Sequence, residues 1–319
     1  MAHTLYFVVP CYNEEEVLPE TSSRLLKKLN ELVEKQIISD DSRILFVDDG
    51  SKDKTWEIIA DLHERDKHFS GVKESRNRGH QNALLAGLFT ASRYADATIS
   101  LDADLQDDIG AVDEMMAEYL KGSDVVYGVR SARKTDSFFK RTTAEGFYKI
   151  MKSMGVDVVF NHADYRLMSR RAVEGLLQFK EVNLFLRGLV PMVGYPSSQV
   201  YYERAERFAG ESKYPLKKMI SFAFEGITSF SVKPLNLILT VAFILLFVGF
   251  LAIVATGVLF AFGYVPSWAI LLSAMGFFTG MILLAIGIVG TYVGKTYMES
   301  KRRPSFIIEQ ILNDGKEKN

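Results

Sequence analysis

Hydrophobic and polar positions alternate regularly along the first 130 residues, where short apolar runs are separated by longer amphipathic stretches. The short runs are rich in β-branched and aromatic residues and predict buried strands at 5–9, 44–47, 97–101 and 125–127. The longer stretches predict helices at 14–35, 55–67, 79–93 and 111–120. Strand and helix alternation predicts an α/β domain with a mostly parallel sheet, which binds ligands beyond the carboxyl ends of its strands.

A second pattern follows this domain, because no Asp, Glu, Lys or Arg occurs from residue 234 to residue 294. One helix of that length would extend about 92 Å at about 1.5 Å per residue, against an apolar bilayer thickness of about 30 Å. The run therefore predicts a two-helix transmembrane hairpin with spans at 236–261 and 268–293, broken by Gly and Pro within 263–267. Basic residues flank both sides of the run, which predicts that both ends are cytoplasmic.

These patterns divide the chain into four predicted parts. Residues 1–213 form the cytoplasmic α/β domain, 234–294 the hairpin and 295–319 a cytoplasmic tail. The segment 214–233 mixes apolar and basic residues, so it is either an amphipathic helix in the lipid headgroup layer or a simple connector. Within the tail, 306–312 predicts a second interfacial piece and 313–319 a disordered end. The N-terminus carries no pattern of a signal peptide.

Charge and cysteine content exclude several classes of protein. The 38 basic and 39 acidic residues give a formal net charge of -1, which argues against a general nucleic-acid binder. Phosphate binding must therefore depend on local groups. The one cysteine, Cys11, excludes an intramolecular disulfide and a multi-cysteine metal site, and is typical of a reducing compartment.

Polar clusters follow the predicted strands, at 10–15, 47–51, 75–82 and 100–107. Taken singly, most have ordinary explanations, because Asp-Gly-Ser is common in turns and Asn followed by Glu is a common helix start. The pair Asp102 and Asp104 is more informative. Two carboxylates this close at a strand end repel each other unless a hard cation binds them together with diphosphate oxygens. The pair therefore predicts a divalent metal site.

The ordered clusters PCYNEEE, VDDGS, NRGHQNA and DADLQD resemble family-2 glycosyltransferases with the GT-A (Rossmann-like) fold. The resemblance covers residues 1–213, and the apolar pair of segments that follows resembles polyprenyl-phosphate glycosyltransferases, including bactoprenol glucosyltransferases and dolichol-phosphate mannose synthases. It implies Mg²⁺ or Mn²⁺ held by Asp102, Asp104 and Gln106. It also implies a nucleotide site formed by Pro10, Tyr12, Glu14, Asp48, Asp49, Asn77, Gly79 and Asp102.

Three arginines are candidates for binding phosphate. Arg130 and Arg141 lie in a basic segment that is either a solvated loop or a site for the acceptor phosphate, for which the planar arginine fork is well suited. Arg207 begins a stretch, RFAGESKY, that is similar to the Arg-x-x-Gly-x-Ser-x-Tyr pattern of the family. The resemblance implies that Arg207 touches the donor diphosphate or the lipid phosphate.

Asp164 is the implied third catalytic carboxylate, because ADYRLMSR is similar to the Asp-Phe-Arg-Leu segment of the family. A lipid phosphate is largely ionised near neutral pH, so removal of its proton would contribute little. We therefore expect Asp164 to have a positioning role, together with the catalytic candidates Asp104, Arg130, Arg141 and Arg207. The alternative is a plain salt bridge between Asp164 and Arg166.

The function implied is an inverting, metal-dependent transfer of a sugar to undecaprenyl (bactoprenol) phosphate, at the cytoplasmic face of a bacterial-type inner membrane. UDP-glucose is the expected donor. A processive polysaccharide synthase would carry Gln-x-x-Arg-Trp, whereas neither Trp56 nor Trp268 follows an arginine. A non-catalytic membrane nucleotide-binding scaffold would be expected to lose Asp102 or Asp104, and both are present. Glycines in the apolar run are compatible with a homo-oligomer.

Overall fold

The computed structural model describes residues 2–131, 162–181, 185–203 and 267–318, with a few single positions between 240 and 262. The described residues of 2–131, 162–203 and 303–318 belong to one compact unit, and those of 240–302 belong to a second. The predictions for 214–233 and for the span 236–261 lie outside the described residues, apart from those single positions.

An eight-stranded sheet forms the centre of the first unit, in the order β7-β5-β6-β4-β1-β2-β3-β8. The neighbours β1/β2, β1/β4, β2/β3 and β5/β7 run parallel, whereas β4/β6, β5/β6 and β3/β8 run antiparallel. The predicted α/β fold with a mostly parallel sheet is thus confirmed. The strands are β1 Leu5–Cys11, β2 Arg43–Asp48, β3 Phe69–Glu74, β4 Ala97–Ser100, β5 Val125–Arg130, β6 His162–Ser169, β7 Ser197–Tyr202 and β8 Ile308–Leu312.

The helices of the first half lie where the periodicity predicts them, although each is shorter than its predicted range. In the described residues they are α1 Leu18–Glu34, α2 Thr55–Arg65, α3 His80–Ala91, α4 Val112–Leu120, α5 Arg170–Leu176, α6 Leu186–Met192 and α7 Ser267–Ser300. Helix α1 begins later than predicted, since Pro19 suits a first helical turn and the preceding residues form a turn. In that turn the Glu14 N–H donates to the Thr55 hydroxyl at 2.9 Å.

Helix α7 belongs to the second unit and contains 34 residues. Within the described part of the chain, no helix is both long enough and apolar enough to cross a membrane. Several side chains inside α7 lie outside the described set.

Helix α3 lies close against β1 and β2, and Gly87 permits this approach. A Cβ at Gly87 would lie 2.4 Å from Val8 Cγ1 and 2.7 Å from Val47 Cγ2, so only a glycine fits without displacing the strands. Every residue of β1 and β2 is buried beneath the helices. This packing fixes the N-terminus of α3 near the carboxyl ends of β1 and β2, where the polar clusters lie.

The C-terminal residues return to the sheet as strand β8, which pairs with β3. The Asn313 amide oxygen accepts hydrogen bonds from the hydroxyls of Tyr6 and Ser70, and Lys318 pairs with Asp96 at 2.5 Å. The prediction of a disordered end was therefore wrong for residues 313–318, because its polar groups find partners on the sheet. The interfacial piece predicted at 306–312 was also wrong, since residues 308–312 satisfy their backbone groups by strand pairing.

Deletion of residues 304–319 is expected to lower the melting temperature by about 5 °C or more, because β3 loses its neighbour and its backbone groups become an open edge. A chain ending after Asn313 keeps β8 and the Asn313 contacts, and it should lose less. Thermal unfolding of both proteins in the same detergent tests this. Equal melting temperatures for both truncations and the full chain would contradict the role given to β8.

Candidate functional site

A cavity of about 1010 Å³ opens at the carboxyl ends of β1, β2 and β4. Nine of the residues singled out in the sequence line it, so the topology brings together groups that are far apart along the chain. They are Pro10, Tyr12, Glu14, Asp49, Asn77, Gly79, Asp102, Asp104 and Asp164. Cavities of this size hold a ligand larger than a single sugar.

Two loops interlock at one end of the cavity, after β1 and β2. The Asn13 N–H donates to the Ser51 hydroxyl at 3.0 Å, and the Asn13 side chain accepts from the Lys52 N–H at 2.9 Å. Asn13 has a left-handed backbone with φ of 54°, a conformation that asparagine tolerates better than most residues. The result is a rigid rim beside Tyr12, whose side chain is exposed toward solvent.

Asp49 joins this rim to the loop that begins helix α3. Its carboxylate accepts hydrogen bonds from the backbone N–H groups of Arg78 at 2.5 Å and Gly79 at 2.9 Å. At Gly50, where φ is 63°, a Cβ would lie 2.6 Å from the backbone of Arg76 and Asn77, so the loops approach too closely for any other residue. Asp49 lines the cavity although only 2% of its surface is exposed.

Asp48 is buried behind Asp49 and shapes the turn instead of facing the cavity. Its Oδ1 accepts from the Ser51 N–H at 3.1 Å. Burial raises the pKa of both Asp48 and Asp49. The role of either carboxylate toward a nucleoside stays a prediction.

Asp102 and Asp104 occupy the turn that follows β4 on the cavity floor. The Thr21 hydroxyl of α1 donates to the Ala103 carbonyl at 2.8 Å and holds this turn in place. The Asp104 carboxylate accepts a hydrogen bond from the backbone N–H of Gln106 at 3.2 Å. Gln106, the third predicted metal ligand, therefore lies directly beside Asp104. The Asp-x-Asp turn is therefore fixed from two sides.

The electrostatics of this turn favour a cation. Burial raises the pKa of Asp102 to about 6, and the carboxylates of Asp107, Asp164 and Asp104 act in the same direction against the opposing effect of His80. In the described residues, no group of three or more His, Cys, Asp or Glu side chains is arranged to hold a metal ion. Two neighbouring carboxylates fit a hard divalent cation that completes its shell with ligand phosphates and water.

Strand β6 places Asp164 beside this turn. Ser100 of β4 pairs with Arg166 of β6, so continuing the antiparallel register by two residues brings Asp102 opposite Asp164. The Ser100 hydroxyl donates to the Asp164 carbonyl at 2.6 Å and strengthens this alignment. The two carboxylates therefore meet through sheet pairing, although they are 62 residues apart in the sequence.

Two arginines neutralise Asp164. The Arg166 guanidinium lies 2.6 Å from its Oδ1, and Arg187 lies 3.1 Å from its Oδ2. Burial alone would raise the pKa of Asp164, but the ion pairs with Arg187 and Arg166 outweigh burial and hold the pKa well below its usual range. The carboxylate is thus ionised and a poor base near neutral pH. The salt bridge to Arg166, given above as the alternative to a positioning role, is present, with Arg187 as a second partner.

Sequence reasoning missed Arg187 and His80, which both line the cavity. The Leu186 N–H at the start of α6 donates to the Gln81 side chain at 2.8 Å, and this contact positions Arg187. His80 Nε2 lies 3.6 Å from Asp102 and 3.8 Å from Asp164. His80 was visible in the NRGHQNA cluster, whereas Arg187 carried no motif signal.

Arg130 ends strand β5 and supports the loop after the acidic turn. Its guanidinium lies 3.4 Å from Asp107, and its Nε donates to the Tyr202 hydroxyl at 3.2 Å. Tyr202 in turn donates to Asp107 at 2.5 Å. Binding of an acceptor phosphate by Arg130 stays a prediction, and Arg141 and Arg207 lie outside the described residues.

Comparison with known proteins gives concordant matches. Residues 6–177 match the model of the family described as glycosyl transferase family 2. An uncharacterized glycosyltransferase of Bacillus subtilis (strain 168) is 51% identical, with 96% of this chain and 91% of the relative covered. A prophage bactoprenol glucosyl transferase homolog of Escherichia coli (strain K12) is 37% identical, with 95% and 98% covered. The bactoprenol glucosyl transferase of Shigella phage SfV is 38% identical, with 95% and 97% covered.

Among solved structures, glucosyl-3-phosphoglycerate synthase from Mycobacterium tuberculosis is similar at a TM-score of 0.44 and 19% identity, covering 71% of this chain and 78% of that chain. That structure holds Mn²⁺, UDP-glucose and phosphoglyceric acid.

Proposed function

Because the chain belongs to glycosyl transferase family 2 and is therefore a glycosyltransferase, we propose that it transfers a sugar from a nucleotide-sugar donor to the phosphate of a polyprenyl lipid. The relatives named bactoprenol glucosyl transferases match nearly the whole chain, which supports glucose as the sugar and bactoprenol phosphate as the acceptor. UDP-glucose is the proposed donor. The reaction inverts the anomeric carbon, because the lipid phosphate attacks it directly from the side opposite the leaving diphosphate.

One observation carries this proposal: the acidic turn of Asp102 and Asp104 shares a single cavity with the Asp49 rim and with Arg187. A nucleoside diphosphate sugar has an aromatic base and ribose at one end and a charged diphosphate near the sugar. The cavity offers the rim with Tyr12 at one end and the charged groups at the other. The donor therefore fits with its nucleoside at the rim and its diphosphate at the acidic turn.

Asp102 and Asp104 would hold the divalent cation, Mg²⁺ or Mn²⁺, with Gln106 beside them. When bound, the cation neutralises charge that develops on the departing nucleoside diphosphate. Asp102 supports this assignment because its pKa is raised first by burial and further by the carboxylates of Asp107, Asp164 and Asp104, and a bound cation would offset both effects. Mg²⁺ that is shared with substrate phosphates is usually bound by one or two protein carboxylates.

Asp164 positions cations instead of accepting a proton. Its carboxylate accepts hydrogen bonds from Nε and Nη2 of Arg187 and so holds that guanidinium at the cavity wall, where its positive charge attracts phosphate oxygens. Arg166 is buried behind the carboxylate with 2% of its surface exposed, so it anchors Asp164 from the protein side. The lipid phosphate is an anionic nucleophile, and a site with this arrangement supplies orientation and charge.

We propose further that the charge-free segment 234–294 anchors the enzyme as a two-span hairpin in the cytoplasmic membrane, with both termini in the cytoplasm. The absence of charge along 61 residues and the helical backbone of Ser267–Ser300 support this proposal. Basic residues on both flanks support the orientation. An anchor of this kind would keep the active site within reach of a lipid phosphate at the headgroup layer.

The proposed function predicts that the full-length protein transfers labelled sugar from one nucleotide-sugar into organic-extractable lipid. The assay uses undecaprenyl phosphate, Mg²⁺ and a panel of UDP-glucose, UDP-galactose, UDP-N-acetylglucosamine and GDP-mannose. We expect label from UDP-glucose, and none when EDTA replaces the metal. Undecaprenol without its phosphate is the matched acceptor control. A folded protein that labels no lipid from any donor would refute the proposed acceptor.

A further inference from the structure

Glu74 is a buried acid that the reaction described above does not use. It is the last residue of β3 and only 1% of its surface is exposed. Successive side chains of a strand point to opposite faces of the sheet, so Glu74 lies inside the protein while Lys73 pairs with Glu309 at the surface at 3.0 Å. Among the described residues, no N–H group and no hydroxyl donates a hydrogen bond to either carboxylate oxygen of Glu74.

The groups that face Glu74 are charged. The parallel register pairs Asp48 of β2 with Lys73 of β3, so the next position places Asp49 beside Glu74, where the two carboxyls interact. The charges of Arg78, from the loop before α3, and of Asp48 also act on Glu74. Two buried carboxyls in contact cannot both be ionised at moderate cost, so one of them holds a proton. Asp49 accepts two backbone N–H groups, which favours its charged form. The proton therefore resides on Glu74.

The charge on Glu74 should change near physiological pH. Burial raises the pKa of Glu74 to about 8, with the Asp49 charge acting in the same direction and Arg78 opposing it. Below about pH 8 the neutral acid donates a hydrogen bond to Asp49. Above it, two negative charges face each other beneath the loop that carries Asn77 and Gly79, which line the cavity.

We propose that Glu74 is a positioning residue for the nucleotide, which as a neutral acid donates to Asp49 and so holds that carboxylate against the N–H groups of Arg78 and Gly79. The proposal rests on the proposed function, because it takes the rim beside Asp49 as the nucleotide end of the cavity. Loss of the Glu74 proton loosens the loop that carries Asn77 and Gly79, and this weakens nucleotide binding.

The first experiment measures UDP binding to the full-length protein with Mg²⁺ at about pH 7 and at about pH 9. If only the protonated form binds, the wild-type dissociation constant rises roughly tenfold between these pH values. Glu74→Gln donates a hydrogen bond at both pH values, so its affinity should match the wild type at the lower pH and escape this loss. Glu74→Leu lacks the donor and should bind weakly at both. Any effect of the titration of UDP itself is the same for the wild type and Glu74→Gln, so it cancels when the two proteins are compared.

A second experiment needs no nucleotide and separates this proposal from the proposed function. Carbon-13 labelling of glutamate follows the Glu74 carboxyl, and the amide signals of Arg78 and Gly79 report the loop. We expect the carboxyl to titrate near pH 8, because burial and the Asp49 charge raise its pKa. The two amide signals should shift with this titration in the wild type but not in Glu74→Gln. Titration of Glu74 near the ordinary glutamate value of about 4.3 would overturn the proposal. Equal pH dependence of UDP binding in wild type and Glu74→Gln would also overturn it.

Absence of UDP binding in every variant, with the carboxyl titration and amide shifts as expected, would refute the proposed donor and leave the Glu74–Asp49 contact supported.

Discussion

Asp104→Asn is expected to lower the transfer rate by at least about a hundredfold while leaving the fold intact. Asparagine has the same shape and its amide oxygen can still accept from the Gln106 N–H, so the turn after β4 should persist. The negative charge that faces the cation and the donor diphosphate is lost, and effects of this size follow removal of one group that stabilises transition-state charge. Initial rates of lipid labelling, with melting temperatures measured in parallel, test this prediction.

Asp108→Asn is the matched control for Asp104→Asn. Asp108 lies four residues further on, is exposed, and accepts from the Gly110 N–H, a bond that asparagine can also make. The substitution Asp108→Asn removes one negative charge from the same loop, as Asp104→Asn does, but outside the cavity. The transfer rate of this variant should therefore stay near that of the wild type. A rate for Asp104→Asn equal to that of Asp108→Asn would exclude Asp104 from the charge-neutralising site.

Asp164→Asn is expected to reduce both activity and stability. Removal of the carboxylate leaves the buried Arg166 without its counter-charge, and breaking a buried pair typically costs about 3–5 kcal/mol of unfolding free energy. Arg187 loses its support at the cavity wall, so the transfer rate should fall by roughly a hundredfold. Denaturant unfolding and labelling rates on the same preparation measure the two effects.

The pH dependence of the stability loss gives a further check on Asp164. Its folded pKa is depressed, so its contribution is fully present above the unfolded value and disappears only as pH falls through the lower folded value. The stability difference between wild type and Asp164→Asn should therefore stay constant from about pH 8 to about pH 5. A difference that shrinks steadily over this range would contradict the ion pairs described for Asp164.

Asp124→Asn provides the control for Asp164→Asn. Asp124 also pairs with an arginine, but its partner Arg171 is 62% exposed and can be solvated when the pair is broken. Its stability loss should be smaller, and its transfer rate should be unchanged, since Asp124 lies away from the cavity lining. An equal loss of activity in both variants would indicate a general effect of weakening the sheet.

Most of the first half of the chain was predictable because its periodicity is strong. Strands β1, β2, β4 and β5 are short and buried, and the helices between them carry clear apolar faces, so local pattern and tertiary structure agree. Strands β3, β6, β7 and β8 were missed, β3 because Ser, Gly, Lys and Glu interrupt its apolar residues. Strand β6 carries Asp164 and Arg166 within its length, and β7 alternates exposed and buried residues weakly, so neither reads as an apolar run.

The candidate site was predictable only where chemistry follows a strand directly. Asp102 and Asp104 were found because they come immediately after β4, and the structure places both on the cavity floor. Arg187 and Glu74 were not found, since each owes its position to a distant contact. Gln81 fixes the helix that carries Arg187, and the pairing of β3 with β2 places Glu74 beside Asp49. No local pattern encodes such contacts.

Strand β8 also has a consequence for biosynthesis. The Ser70 hydroxyl bonds to Asn313, which follows it by 243 residues, so the edge of β3 stays open while that length of chain is translated. At about 5–20 residues per second this interval lasts roughly 10–50 s. During that time the nascent sheet presents unpaired backbone groups on which other chains can assemble. Chaperone cover of the ribosome-bound intermediate should therefore matter more for this enzyme than for α/β proteins whose edge strands are neighbours in sequence.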